Sequence, residues 1–214
     1  TKAAALTECG GVVAETPDQA VHGADFIITM LSDGAAVDAI LASPDLRAAL
    51  RRGSLWIDMS STQPTQARAQ SARLDELGIA HLDAPVSGGT KGAEAASLAI
   101  MVGGQEKAFS AALPVLSVLG RPVHVGPSGS GQLAKLANQA IVAVTIGAVA
   151  EAMLLLDKGG ADPAAVRDAL RGGFADSTIL QQHGTRMTTN NFAPGGLSKL
   201  QLKDLNNVLS EAND

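Results

Sequence analysis

With 214 residues, 46% of them hydrophobic and 17% charged, the chain has ample apolar material for a packed core and suits one large domain or two modest ones. A net charge of −5, with 16 Lys+Arg and no basic run, argues against a nucleic-acid partner. Aromatic residues are scarce, so a core must be built from Ala, Val, Leu and Ile, and the lone Cys9 rules out an internal disulfide framework and fits a reducing, cytoplasmic compartment.

Residues 2–9 read as the end of a short helix stopped by Gly10 and Gly11, and 12–14 as a brief strand. Thr16-Pro17-Asp18 opens a helix with Pro at its first position. The apolar run 25–31 ends in Ser32-Asp33-Gly34 and predicts a strand buried on both faces, as in a parallel sheet. Ser32 or Asp33 can cap the next helix, and Ser43-Pro44 starts another through Leu50. The alternation continues with a strand at 54–59, a helix at 65–77 closed by Gly78, and strands at 79–83 and 98–102. A helix at 105–119 follows, with a kink expected at Pro114, then a short strand at 123–125. Strands alternating with helices in this way mean an α/β domain built from crossover units.

Small residues at 127–131 let the backbone turn tightly, with Ser128 or Ser130 available to cap what comes next. From Gln132 to about Asp157 a helical pattern runs unbroken until Gly159 and Gly160, a rod of roughly 40 Å. Only Lys135, Glu151 and Asp157 carry charge along it, so it must be covered nearly all round. A membrane span over 140–156 is disfavoured by Glu151 and by the polar pair Lys135 and Asn138 just before it; a buried, domain-linking helix is the better expectation. Beyond it only helices are predicted, such as 162–170. The domain boundary therefore falls near 127–131, with an α/β domain over 1–128 and an all-helical one over 129–214, joined by the one long helix.

Three stretches carry chemistry. Lys135 and Asn138, three apart, project from one face near the positive end of the long helix, which suits a small anionic ligand; a snorkelling surface lysine is the plainer alternative. Ser87-Gly88-Gly89 follows a strand end and offers unobstructed backbone N–H groups for an anion, although a simple turn would use the same residues. The Gly88–Gly92 stretch fails as a phosphate loop, because Gly92 follows Lys91 and no helix pattern begins there. Met30-Leu31-Ser32 and Asp58-Met59-Ser60-Ser61 lie at strand carboxyl ends, where open α/β sheets bind ligands. The four His residues show no ligand spacing, and no metal site is assigned.

These motifs also carry a resemblance. The pattern G-x-G-x-x-x-K-x-x-N at Gly129, Gly131, Lys135 and Asn138 resembles the catalytic signature of the β-hydroxyacid dehydrogenases, the 3-hydroxyisobutyrate dehydrogenase family. Asp83-Ala84-Pro85-Val86-Ser87-Gly88-Gly89 and Lys203-Asp204-Leu205 match two further motifs of that family in order and distance. The resemblance implies a Rossmann-type N-terminal domain, incomplete here, followed by an all-α domain for substrate binding and dimerisation. It implies an NAD- or NADP-dependent oxidoreductase that interconverts a short β-hydroxy acid and its semialdehyde, with Lys135 as general acid/base. By the same resemblance Ser87, Gly88, Gly89 and Asn138 hold the substrate and Asp204 stands behind the site. Met30, Leu31, Ser61 and Lys203 line the cofactor. The family's second amide is Gln139 here, and its customary aromatic residue seven positions before Lys203 is Gly196, which makes for a roomier pocket.

6-Phosphogluconate dehydrogenases look similar but need a His-Asn pair after the lysine, which Leu136-Ala137-Asn138 does not offer; imine reductases typically lack the lysine. The strand–G-x-G-x-x-G–helix of a dinucleotide fold is not found within these residues, so the chain is expected to be a fragment or shortened form. The competing expectation is accordingly a truncated, non-catalytic chain that only folds or associates with partners. The apolar long helix leads to a further expectation, a homodimer or homotetramer without a membrane partner.

Overall fold

The computed structural model describes residues 2–193 and 195–213. Contacts between Cα atoms divide the chain into two compact units, Thr1–Lys135 and Leu136–Asp214.

The first unit holds a six-stranded mixed sheet. Its strands are β1 (Phe26–Thr29), β2 (Leu55–Asp58), β3 (Ala80–Asp83), β4 (Val86–Ser87), β5 (Leu98–Gly104) and β6 (Gly120–Gly126). Its helices are α1 (Pro17–Val21), α2 (Gly34–Ala42), α3 (Pro44–Ala49), α4 (Pro64–Glu76), α5 (Gly89–Glu94) and α6 (Glu106–Leu116). β1, β2 and β3 pair in parallel, with Thr29, Asp58 and Asp83 aligned at their carboxyl ends. β5 runs antiparallel to β3 and β4 and parallel to β6. This is the Rossmann-type α/β arrangement that the alternation of elements predicts, with one reversal that periodicity alone does not show.

Side chains of β2 alternate between two cores. Leu55 and Ile57 join Leu82, Ile100, Val102 and Leu116, whereas Trp56 joins Val21, Val37, Leu41, Leu46 and Leu74. With period-2 geometry, one face of the sheet is sealed by α6 and the other by helices including α2, α3 and α4. Caps start the helices where expected: Asp33 accepts from the Ala36 N–H at 2.9 Å, and Ser43 accepts from that of Leu46.

Four expectations are corrected. Residues 12–14 form no strand, because among the described residues none pairs with them. β1 is buried on one face only: Phe26 and Ile28 are 38% and 44% exposed, since it lies at the sheet edge with a helical layer on one side. Gly89–Glu94 does form a short helix, closed by a bond from the Gly92 N–H to the Gly88 carbonyl at 3.0 Å, despite its poor helix formers. α6 ends at Leu116, two residues beyond Pro114.

The long helix α7 (Ser130–Lys158) begins in the first unit and continues into the second. In the second unit it is followed by α8 (Pro163–Ala169), a π-helical turn at Leu180–Gly184, α9 (Thr185–Thr188) and α10 (Ser198–Asn213). Val149, Met153 and Leu180 form the core there, with Leu156, Leu170, Ile179 and Met187 packed around them. α7 is not covered all round as its composition leads one to expect: Ile141, Val144 and Leu155 are 66%, 73% and 73% exposed. Among the described residues it alone is long and apolar enough to cross a membrane.

Candidate active site

A buried polar network crosses the carboxyl ends of β1, β2 and β3. The Asp58 carboxylate accepts from the Thr29 hydroxyl at 2.9 Å and from the Ser60 N–H at 3.1 Å. The Ser60 hydroxyl in turn accepts from the Leu31 N–H at 2.9 Å. Burial raises the Asp58 carboxyl above its ordinary value, and the bonds from Ser60 and Thr29 pull it partly back. Leu31 and Ser60, neighbours of Met30 and Ser61, are thus fixed to one another across the strand ends. Met30 leaves a large apolar side chain 64% exposed there, a surface on which a flat ring can rest.

Asp83 closes the same network at the end of β3. Its carboxylate accepts from the Gly129 N–H at 2.8 Å and the Gln132 N–H at 2.9 Å. The helix start is therefore capped by an acid 46 residues upstream rather than by Ser128 or Ser130, and the buried Ser128 hydroxyl has no hydrogen-bond partner among the described residues. A carboxylate against helical N–H groups complements both the unpaired donors and the positive end of the dipole. Burial pushes the Asp83 carboxyl up, and the N–H groups of Gly129, Gln132 and Gly131 offset part of that shift.

Lys135 sits one turn further along α7. It is 9% exposed, and its Nζ donates to the Val86 carbonyl at 2.8 Å. Val86 immediately precedes Ser87, Gly88 and Gly89, and the two glycines adopt φ of 137° and 61°. These left-handed conformations turn the backbone away from strand geometry without a Cβ in the way. The cation and the glycine turn, 46 residues apart in the chain, are neighbours in space through Val86. The seven residues from Asp83 to Gly89 hold the helix end, the lysine and the turn together.

The second unit contains the remaining candidates, grouped around Gln139. Its amide donates to the Asp204 carboxylate at 2.7 Å and accepts from Asn138 at 2.9 Å. Gln201 adds a bond to the Gln139 carbonyl at 3.1 Å. Lys203 Nζ lies 3.4 Å from Asp204, whose side chain is only 9% exposed. The charges are therefore not a solvated pair on the surface. Asn138, Lys203 and Asp204 are brought together, and the residue that does so, Gln139, counts in the sequence only as a variation on the motif.

Sequence reasoning also misses Gln132 and Thr62, because their roles depend on contacts across 70 residues. The one signal available is a glutamine within the first turn of an otherwise apolar helix.

Known proteins match the chain over both units. Residues 1–129 match the family model described as the NAD binding domain of 6-phosphogluconate dehydrogenase. Residues 129–214 match that described as NAD-binding of NADP-dependent 3-hydroxyisobutyrate dehydrogenase. The 2-hydroxy-3-oxopropionate reductase of Escherichia coli K12 is 44% identical over 210 residues, covering 97% of this chain and 72% of the relative. The NAD-dependent L-serine dehydrogenase of Pseudomonas aeruginosa PAO1 is 34% identical over 209 residues, covering 94% and 70%. The structure of Mycobacterium tuberculosis 3-hydroxyisobutyrate dehydrogenase with L-serine superposes with a TM-score of 0.88 at 36% identity, covering 99% of this chain and 75% of that one.

Proposed function

Because this chain belongs to the β-hydroxyacid dehydrogenase family, we propose that it interconverts a short β-hydroxy acid and its semialdehyde, with Lys135 as the general acid/base. The family's cofactor is NAD or NADP. One observation carries the reading: a nearly buried lysine whose Nζ is anchored to Val86, beside the turn at Ser87, Gly88 and Gly89.

In this reading the N–H groups of Ser87, Gly88 and Gly89 hold the substrate carboxylate. Their backbone can approach an anion closely, since neither Gly88 nor Gly89 carries a Cβ. Met30, Leu31 and Ser61 flank the nicotinamide end of the dinucleotide, and Lys203 is the cofactor-binding residue that the helical unit contributes. The nicotinamide, when bound, takes up or gives the hydride. Lys135 Nζ, as the free amine, would take the proton of the substrate hydroxyl, and in the reverse direction the ammonium would return it to the substrate oxygen. The Val86 carbonyl accepts one of the lysine's donors and so fixes where Nζ stands. Asn138 binds substrate through its amide without adding charge, and Asp204 holds Gln139 and Lys203 in place.

Among candidate substrates, 2-hydroxy-3-oxopropionate, 3-hydroxyisobutyrate and L-serine share the arrangement the turn and lysine require: a carboxylate separated by one carbon from the reacting centre. Assays of the protein with these compounds, both cofactors, and a lactate control test the reading. Turnover of at least one β-substituted acid, with lactate inert, is expected. Failure on all of them with NAD and NADP would overturn it.

Assembly follows from α7. Ile141, Val144, Leu154 and Leu155 are exposed apolar side chains on one helix, which supports a homodimer or homotetramer. Light scattering that finds only monomer at micromolar concentration would contradict this. Free, exposed Cys9 supports a reducing cytoplasmic location.

A further inference from the structure

Gln132 is fully buried, and both ends of its side-chain amide are engaged. Its oxygen accepts from the Thr62 N–H at 3.0 Å, and its nitrogen donates to the Ser60 carbonyl at 2.8 Å. These two backbone groups lie on either side of Ser61, beyond the end of β2, where no neighbouring strand among the described residues continues to pair with them. They are of opposite polarity, one donor and one acceptor, and a carboxamide matches both at once. A methionine or leucine would fill the volume and leave both backbone groups unpaired in a buried site.

The backbone of the same residue donates to Asp83, so the first turn of α7 is bound to the exits of both β2 and β3. Lys135 lies three residues further on, about 4.5 Å of axial rise along the same helix. We propose that Gln132 is a positioning residue: it ties the backbone around Ser61 to the turn that carries Lys135, so that the cofactor-lining loop and the proton-transferring amine are held in one register. This rests on the roles read above for Ser61 and Lys135. A register error of about 1 Å between hydride and proton transfer can cost on the order of a hundredfold in rate, so a rigid tie between the two walls serves the chemistry as well as the fold.

The test compares Gln132→Met with Gln70→Met. Gln70 is the other fully buried glutamine; it donates to Asp38 at 3.2 Å and takes no part in the site. Gln132→Met loses two buried amide bonds and Gln70→Met one partly buried bond, and both should melt below wild type. Only Gln132→Met should also lower kcat about 10- to 100-fold and weaken NAD(P)H binding, read by fluorescence titration. If Gln132→Met folds and keeps kcat and cofactor affinity within about twofold of Gln70→Met, the proposal is overturned. If it does not fold, Gln132→Glu, which retains an oxygen for Thr62, is judged by the same comparison. A Lys135→Ala enzyme run alongside separates the two readings. Its full activity would remove Lys135 from the chemistry and the proton half of this proposal, whereas normal cofactor affinity in a folded Gln132 variant would remove the Ser61 half alone.

Discussion

Gly131→Ala places one methyl group where α7 meets the sheet. A Cβ built on Gly131 stands 2.3 Å from the Asp83 carbonyl oxygen, 2.5 Å from that of Met101 and 2.9 Å from the Asp83 carboxylate. Two of the three are strand backbone and cannot swing aside. Relief of the closest contact requires the helix start to back away by about 1 Å, a strain of the kind that costs about 1–3 kcal/mol in a packed interior. The same displacement stretches the bonds from Gly129 and Gln132 to Asp83 and carries Lys135 away from Val86. A shift of that size is worth on the order of a hundredfold in rate. Chemical denaturation and steady-state kinetics on one preparation read both effects. A Gly131→Ala protein within about 0.5 kcal/mol of wild type, with kcat within twofold, would refute the claim that this glycine exists for close approach.

Gly147, in the middle of α7, has nothing within 4 Å of its would-be Cβ, so Gly147→Ala should stabilise by about 0.5–1 kcal/mol, measured as a higher denaturation midpoint. His81 is buried with neither ring nitrogen bonded among the described residues, and burial lowers its pKa from 6.5 to about 4. Between those values only the unfolded chain takes up this proton, so stability should fall as pH drops through that window, by about 3 kcal/mol in total from this residue. Asp58 and Asp83, with raised values, act in the opposite sense at the acid end, because their folded forms take up protons first. Urea melts from pH 7 to pH 4.5 should show a slope that His81→Phe removes; an unchanged slope would contradict the assignment. Gln139→Leu leaves the Asp204 oxygen without its amide donor and should cost about 1–3 kcal/mol by urea melt.

Local pattern made much of this legible. The apolar runs at β1 and β2, the Pro and Ser/Asp starts of α1 to α3, and the unbroken pattern of α7 are set by nearest neighbours along the chain, so spacing reveals them. The motif at 83–89 and the lysine could be read as chemistry, yet not as neighbours, because their meeting depends on Lys135 reaching Val86 across 49 residues. The antiparallel turn of β5 was illegible for the same reason: strand direction is chosen by which edge is free, not by side-chain alternation. The cap on α7 shows the limit most sharply. Two serines stand at the locally correct positions, and an aspartate from the end of β3 takes the N–H groups instead, since burial of that acid is tolerable only if it finds such donors. Gln132 was invisible as a bridge because nothing in a lone glutamine distinguishes a core bridge from a solvated side chain, and Gln139 showed only as the motif's second amide because its bond to Asp204 spans 65 residues.

The central claim is that Lys135 moves the proton. Replacement by alanine in the active enzyme, with kcat from steady-state turnover and cofactor affinity from titration of the same preparation, tests it most directly. Loss of a general acid/base predicts a fall in kcat of about 10²–10⁴ with NAD(P)H affinity nearly unchanged. A Lys135→Ala enzyme whose kcat stays within a factor of about two of wild type would contradict the account.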